Sequence, residues 1–265
     1  MMCREESWKV RINMSIRANM SVKAKRVIDT GVLVLLILGA TYFSSLSVRE
    51  YLPYVGNQIK MERLQKEVAG RDDKGWRKID WKKLQKKNGD IIAWIEVSGT
   101  KVDYPVVKCP SLSYYLHHDV EKKNNILGSI FVQPDTAEDF SDRHTVIYGH
   151  NMRDKQMFGS LHSYESEGFF RKHKKVYIYQ PGQVIQAKVY SVYDTPDGTD
   201  TYRTEFDTPD EWKEWIAMTL EKRYYDTGIQ PQEADQIITL STCSNGRGRK
   251  SRYVVNCVVE GIVDI

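Results

Sequence analysis

Residues 30–48, TGVLVLLILGATYFSSLSV, contain no charged side chain. As an α-helix rising about 1.5 Å per residue, such a run spans roughly 28 Å, close to the thickness of a bilayer's hydrocarbon core. It can be a membrane span, a cleaved signal or a buried core helix. It is longer than a usual signal-peptide apolar region, and no A-x-A site follows it, which favours an uncleaved anchor. Upstream, residues 1–30 carry seven basic side chains (Arg4, Lys9, Arg11, Arg17, Lys23, Lys25, Arg26) against Glu5, Glu6 and Asp29. Basic flanks stay on the cytoplasmic side, so residues 50–265 are expected outside the cell. The expected organisation is a cytoplasmic basic N-terminus (1–30), a transmembrane anchor (31–48), a juxtamembrane helical stalk (49–79) and one folded domain (80–265). Met14 and Met20 are alternative starts, which would leave residues 1–19 out of the mature protein.

The N-terminal surplus of four equals the net charge of the whole chain, +4, so the remainder balances at 32 basic against 32 acidic residues. A nucleic-acid binder concentrates a basic stripe on its folded part, and this balance predicts no nucleic-acid partner. Of four cysteines, Cys3 falls on the cytoplasmic side and Cys109, Cys243 and Cys257 outside. Three thiols cannot all pair within one chain. There is no C-x-x-C or H-E-x-x-H spacing, so neither a metal nor another cofactor is predicted.

Between 50 and 76 the apolar residues Ile59, Leu64 and Val68 are too sparse for a deep core, hence the stalk. Asp80 can cap a short helix, WKKLQKK, closed by Asn88-Gly89. Eight runs rich in Val, Ile and Tyr follow, at 91–97, 101–107, 128–133, 144–150, 175–180, 183–194, 236–243 and 252–263. Gly, Pro, Asn and Asp turns separate them, and Pro181-Gly182 marks a tight hairpin. The pattern predicts a mainly β fold, a closed or nearly closed barrel. Two helical interruptions are expected, at 157–170 and 208–228. The second has Thr208 as N-cap, Pro209 at the first position, Glu211 completing a capping box and Gly228 as stop. Its Trp212, Trp215, Ile216 and Leu220 lie at helical spacing and give it one apolar face.

In QIITLSTC, Ile237, Thr239, Ser241 and Cys243 share one face of a strand, and Ile238, Leu240 and Thr242 the other. Cys243 thus ends the more polar face at a strand's mouth, where it is either a small buried hydrophobe or a nucleophile. Cys257 shares an apolar face with Tyr253, Val255 and Val259 and reads as a core thiol. Cys109 sits in a loop with nothing to mark it as reactive. A nucleophilic thiol needs a cation or base nearby. If the last strand returns antiparallel, Arg252 comes back beside Cys243, whereas Arg247, Arg249 and Lys250 solvate the loop. Spacing leaves Arg252 open between those two roles. Among the histidines, His150 ends a strand-like run and could exchange a proton with a thiol or amine. His117, His118, His144, His162 and His173 sit in polar local sequence and read as surface residues.

TLSTC at 239–243, Arg252 at the head of the final strand and VIYGHN at 146–151 resemble the TLxTC…R and YGHN motifs of sortases. NGDIIAWIEVSGTKVDYPVV, YYLHHDV and a long helical insertion before the TLSTC strand resemble the class B subgroup, over about residues 80–263. The resemblance implies a closed eight-stranded sortase-type barrel with peripheral helices, and a cysteine transpeptidase anchored in the membrane. By the same resemblance Cys243 is the nucleophile, His150 the general acid and base, and Arg252 the group that holds substrate and oxyanion, together with a backbone N–H after Cys243. Arg249 is a competitor for the arginine role, because the loop length varies in the family. Ser241 and Thr242 are expected to line the substrate groove, with Asn151 and Asn245 in orienting roles or in local hydrogen bonds. The implied partners are the C-terminal sorting signal of a secreted protein, NPxTN-like or a variant, and a cell-wall peptide amine. A pilin-polymerising sortase, a hydrolytic cysteine peptidase and a non-enzymatic surface-binding module are the alternatives.

Overall fold

All eight Val-, Ile- and Tyr-rich runs form strands, and the strands close on one another. The computed structural model describes residues 21–111, 113–245 and 250–265, and the chain divides into two units, Met1–Pro53 and Tyr54–Ile265. Within the first unit the described residues from Val22 onward are helical, part of a helix α1 that runs from Val22 to Val68. Its apolar stretch is the one described helix long and apolar enough to cross a membrane, and none of that window is buried by protein. Leu35, Leu36 and Phe43 are all more than half exposed, as lipid-facing side chains would be.

The second unit holds a small hairpin, β1 (Ala69–Arg71) with β2 (Arg77–Ile79), and the short helix α2 (Trp81–Lys87). Asp80 caps α2 by accepting the Lys83 N–H at 3.0 Å. The barrel strands are β3 (Ile91–Val97), β4 (Asp103–Lys108), β5 (Ile130–Val132), β6 (His144–Tyr148), β7 (Lys175–Gln180), β8 (Gln183–Pro196), β9 (Ile237–Cys243) and β10 (Ser251–Asp264). They close in the order β10–β8–β7–β3–β4–β5–β6–β9. Closure removes every unpaired edge, as a short-stranded β fold of this size requires. Two pairings are parallel, β4 with β5 and β6 with β9, and the others are antiparallel. The Pro181-Gly182 turn joins β7 to β8 with Gly182 at φ +81, a value that favours glycine.

The barrel interior is filled by Ile95, Ile178, Val189, Leu240, Tyr253 and Cys257, all 0% exposed. β9 is buried on both faces. Ile238 and Leu240 point into this core, while Ile237 joins a second cluster outside the barrel. That cluster is built by helix α4 (Pro209–Glu221), whose Trp212, Trp215 and Ile216 pack on Tyr190, Ile237 and Val258. The two indoles stack at 5.1 Å. Removing a buried indole here costs about 3–5 kcal/mol.

Four local expectations need correction. The juxtamembrane segment is not a bare stalk: Met61, Leu64 and Val68 repeat at helical spacing and are buried in the barrel's core cluster, whereas Ile59 is exposed. α4 ends at Glu221, well before Gly228, because the chain turns at Lys222 and the Tyr224 N–H bonds Val192 O. Thr208 does cap α4 by accepting the Glu211 N–H, but the Glu211 carboxylate takes the Asp207 N–H rather than that of the cap. The first insertion is a 3₁₀ segment, Gly159–Glu165, followed by the short helix α3 (Glu167–Lys172).

Candidate active site

β9 ends at Cys243, and β10 returns beside it so that Arg252 is its cross-strand partner. Neighbouring side chains of a directly opposed pair lie on the same face. Arg252 Nη1 accordingly stands 3.6 Å from Cys243 Sγ. Its Nη2 donates to Asp197 Oδ2 at 2.8 Å, from the turn that follows β8. The turn is itself pinned to the residue before β10, since the Asp197 N–H donates to Lys250 O at 2.7 Å. One guanidinium is thus held by a carboxylate on one side and faces a thiol on the other. Arg249 lies outside the described residues, as do Arg247 and Cys3.

Cys243 is the exposed thiol among the described cysteines; Cys109 and Cys257 are buried. Burial pushes the Cys257 thiol far above the usual range, so it stays protonated. Cys109 points its thiol at the Ser111 carbonyl.

His150 follows the end of β6. Its ring Nε2 lies 2.9 Å from the carbonyl oxygen of Leu116, in the 3₁₀ turn Tyr114–Leu116. A carbonyl only accepts, so Nε2 carries the hydrogen, and Nδ1 is left as the nitrogen that can take or release a proton. Gly128 makes this approach possible. It adopts φ +55, and a Cβ there would stand 2.5 Å from Tyr115 O, 2.8 Å from Leu116 O and 3.1 Å from the His150 ring.

Cys243, His150, Arg252 and Asp197 line one cleft of about 390 Å³, together with Ser241, Thr242, Leu116, Phe131, Gln133 and Tyr148. Its wall is aromatic: Phe131 stacks on Tyr148 at 5.4 Å, and Tyr148 on Tyr202 at 6.1 Å. Burial raises the Tyr202 phenol to about 12, so at neutral pH it is a hydrogen-bond group rather than a charge. It pairs with Ser241 Oγ at 2.9 Å. Thr242 Oγ1 is buried with no hydrogen-bond partner among the described residues.

Asn151 and Asn245 are not among the residues lining the cleft. Asn151 Nδ2 donates to the Cys243 carbonyl at 2.9 Å and to Asn245 Oδ1 at 2.8 Å. The first amide after Cys243 is also committed, since the Ser244 N–H donates to Ser251 O at 3.1 Å. It therefore has no free hydrogen to offer an oxyanion.

Two of the histidines read as surface residues are buried, His144 and His162. His144 lies between Arg203 O and Thr239 Oγ1, at 2.7 Å from each, and against Trp215. Burial lowers its pKa to about 4, so the ring is neutral. His162 reaches the backbone of Cys243, with Nε2 3.0 Å from its carbonyl oxygen. Their local sequences are polar, and the elements that cover them come from distant parts of the chain. Asp197 was legible only as part of a Pro-Asp-Gly turn.

The sortase-domain family model matches residues 95–260. The sortase B of Listeria monocytogenes is 30% identical over 232 residues, 84% of this chain and 93% of that protein. The Staphylococcus aureus sortase B is 28% identical over 238 residues, 89% of this chain and 97% of that protein. Among solved structures, the sortase B of Bacillus anthracis in complex with AAEK1 superposes with a TM-score of 0.69 at 31% identity, over 79% of this chain and 98% of that one. The chain belongs to the sortase family. Within it the chain is a class B sortase, a cysteine transpeptidase that anchors proteins through a sorting signal.

Proposed function

We propose that Cys243, His150 and Arg252 carry out this transpeptidation. The observation behind the assignment is that one exposed thiol, an imidazole with a free Nδ1 and a guanidinium line the same cleft. With the proton lost by the Cys243 thiol held on His150 Nδ1, the thiolate attacks a backbone carbonyl carbon of the sorting signal, and Arg252 donates hydrogen bonds to the oxygen as it becomes negative. The C–N bond then breaks, and the leaving amine takes the proton from His150 Nδ1. A thioester on Cys243 remains. An incoming amine gives its proton to Nδ1, attacks the thioester carbon and expels the thiolate, which restores the enzyme. Asp197 steadies Arg252 throughout.

The substrate we infer is an NPxTN-type signal, and the acceptor an amine of a cell-wall peptide. The class B relatives support this, as does the aromatic wall of Phe131 and Tyr148, which suits an extended peptide rather than a small polar ligand. Ser241 and Thr242 line that groove, and Asn151 and Asn245 act on the backbone at the strand end. The inferred topology has the basic N-terminus in the cytoplasm, residues 31–48 in the membrane and the barrel outside.

The test is to incubate the chain, in detergent or vesicles, with a panel of sorting-signal peptides, with and without hydroxylamine or an oligoglycine amine. Amine-dependent ligation product is expected. Hydrolysis that no amine diverts would recast the protein as a peptidase, and no turnover of any peptide would sink the proposal.

A further inference from the structure

The ladder between β6 and β9 ends early. Its last pair is Tyr148 with Ser241, and one further bond runs from the Gly149 N–H to Ser241 O. There the chain leaves β9 to carry His150 toward Leu116. Along a strand, successive carbonyls alternate between its two sides, so the carbonyl of Cys243 points to the same side as that of Ser241. On that side the neighbouring strand has gone. Two side chains take its place, Asn151 Nδ2 at 2.9 Å and His162 Nε2 at 3.0 Å.

His162 is built for this contact. Its side chain is 2% exposed, its ring stacks on Tyr253 at 4.2 Å, and its Nδ1 is 2.7 Å from Glu165 Oε1. A carbonyl and a carboxylate both accept. Nε2 therefore donates to the Cys243 carbonyl, while Glu165 holds the other edge of the ring. The groups facing it are Glu165 on its own turn, Tyr253 of β10 and the Cys243 carbonyl of β9.

From this geometry we propose that His162, oriented by Glu165, is a positioning residue for the reaction: it substitutes for the missing strand and fixes the peptide plane that carries the Cys243 side chain. It touches neither substrate nor thiol. β10 holds the other side of the same peptide through Ser244 N–H and Ser251 O, so the nucleophile sits on a backbone clamped from both sides. The inference rests on Cys243 being the nucleophile.

The test compares His162→Gln, which keeps an N–H donor, with His162→Leu, which keeps bulk against Tyr253 but no donor. Both are made in the full chain, with circular dichroism and melting temperature as folding controls. Two readouts are taken: turnover of a fluorogenic NPxTN-type peptide, and the rate at which iodoacetamide alkylates Cys243, which needs no substrate. For His162→Leu, kcat is expected to fall roughly 10- to 100-fold with KM within about twofold, because small misplacements of a reacting group cost this much. Alkylation should slow as well, and His162→Gln should recover both to within about threefold of the parent. Equal losses in the two variants would mean that the ring only fills space, and would overturn the proposal. So would a Leu variant whose alkylation and turnover match the parent. If the parent itself turns over no peptide, the nucleophile assignment is at fault, and the alkylation comparison still decides the clamp.

Discussion

Arg252 Nη1 lies 3.6 Å from Cys243 Sγ, while Nη2 of the same guanidinium is bonded to Asp197 at 2.8 Å. The cross-strand register puts the first pair together, and the turn after β8 supplies the carboxylate. The fork can therefore meet negative charge at the sulfur or at a substrate oxygen without first having to be ordered. Arg252→Ala should lower kcat/KM by about 10²–10³, the usual loss for one oxyanion donor. Arg252→Lys should recover little of it, since a point charge cannot hold Asp197 and face Cys243 together. Steady-state kinetics of the two variants check this, and a lysine variant at parental rate would remove the geometric part of the role.

Asp197→Asn keeps the shape of the turn and removes the charge. The expected outcome is a loss of about three- to tenfold in kcat/KM, smaller than that of Arg252→Ala, because the guanidinium stays while its orientation loosens. An equal or larger loss would mean that Asp197 acts directly.

Thiol accessibility is a simpler check. In a fragment spanning 51–265, which holds Cys109, Cys243 and Cys257, one thiol per molecule should react with Ellman's reagent in native buffer and three in denaturant. The native signal should vanish in Cys243→Ala.

Gly128→Ala tests how His150 is held. The new Cβ would press on the carbonyl that accepts from His150 Nε2, at a backbone angle that disfavours any side chain. Activity should fall at least about tenfold, with about 1–3 kcal/mol lost in stability. Full activity would mean that Leu116 O does not orient the imidazole.

His144 makes stability pH-dependent. Its folded pKa, about 4, lies below the unfolded value of 6.5, so in that window the unfolded chain binds the extra proton. Its contribution is fully present above about pH 6.5 and is lost as the pH falls toward 4. Between pH 7 and pH 5 the loss should be about 2 kcal/mol. Urea unfolding of the 51–265 fragment at both pH values should show a shallower pH dependence for His144→Gln than for the parent.

The strands, the long apolar N-terminal helix and the Cys243–Arg252 pairing could be read from the sequence because each depends on local pattern. β runs alternate, an uncharged stretch has a length, and a loop between two antiparallel strands returns its ends together. His162 and His144 could not be read this way. What buries them is the end of β9 and the α4 cluster, both far along the chain. The burial of Met61, Leu64 and Val68 is legible in their helical spacing, provided Met61 is counted with the aliphatic residues. The position of Asp197 depends on the β8–β10 register, which no local motif encodes.

The most direct test of the account is the acyl-enzyme itself. The full chain is mixed with a reactive sorting-signal peptide in the absence of any amine, quenched in acid and digested for mass spectrometry. The predicted result is the N-terminal part of the signal, as a thioester on the peptide containing Cys243. Hydroxylamine should release it, and Cys243→Ala should never form it. Cleaved substrate with an unmodified Cys243, or cleavage that persists in Cys243→Ala, would contradict the account.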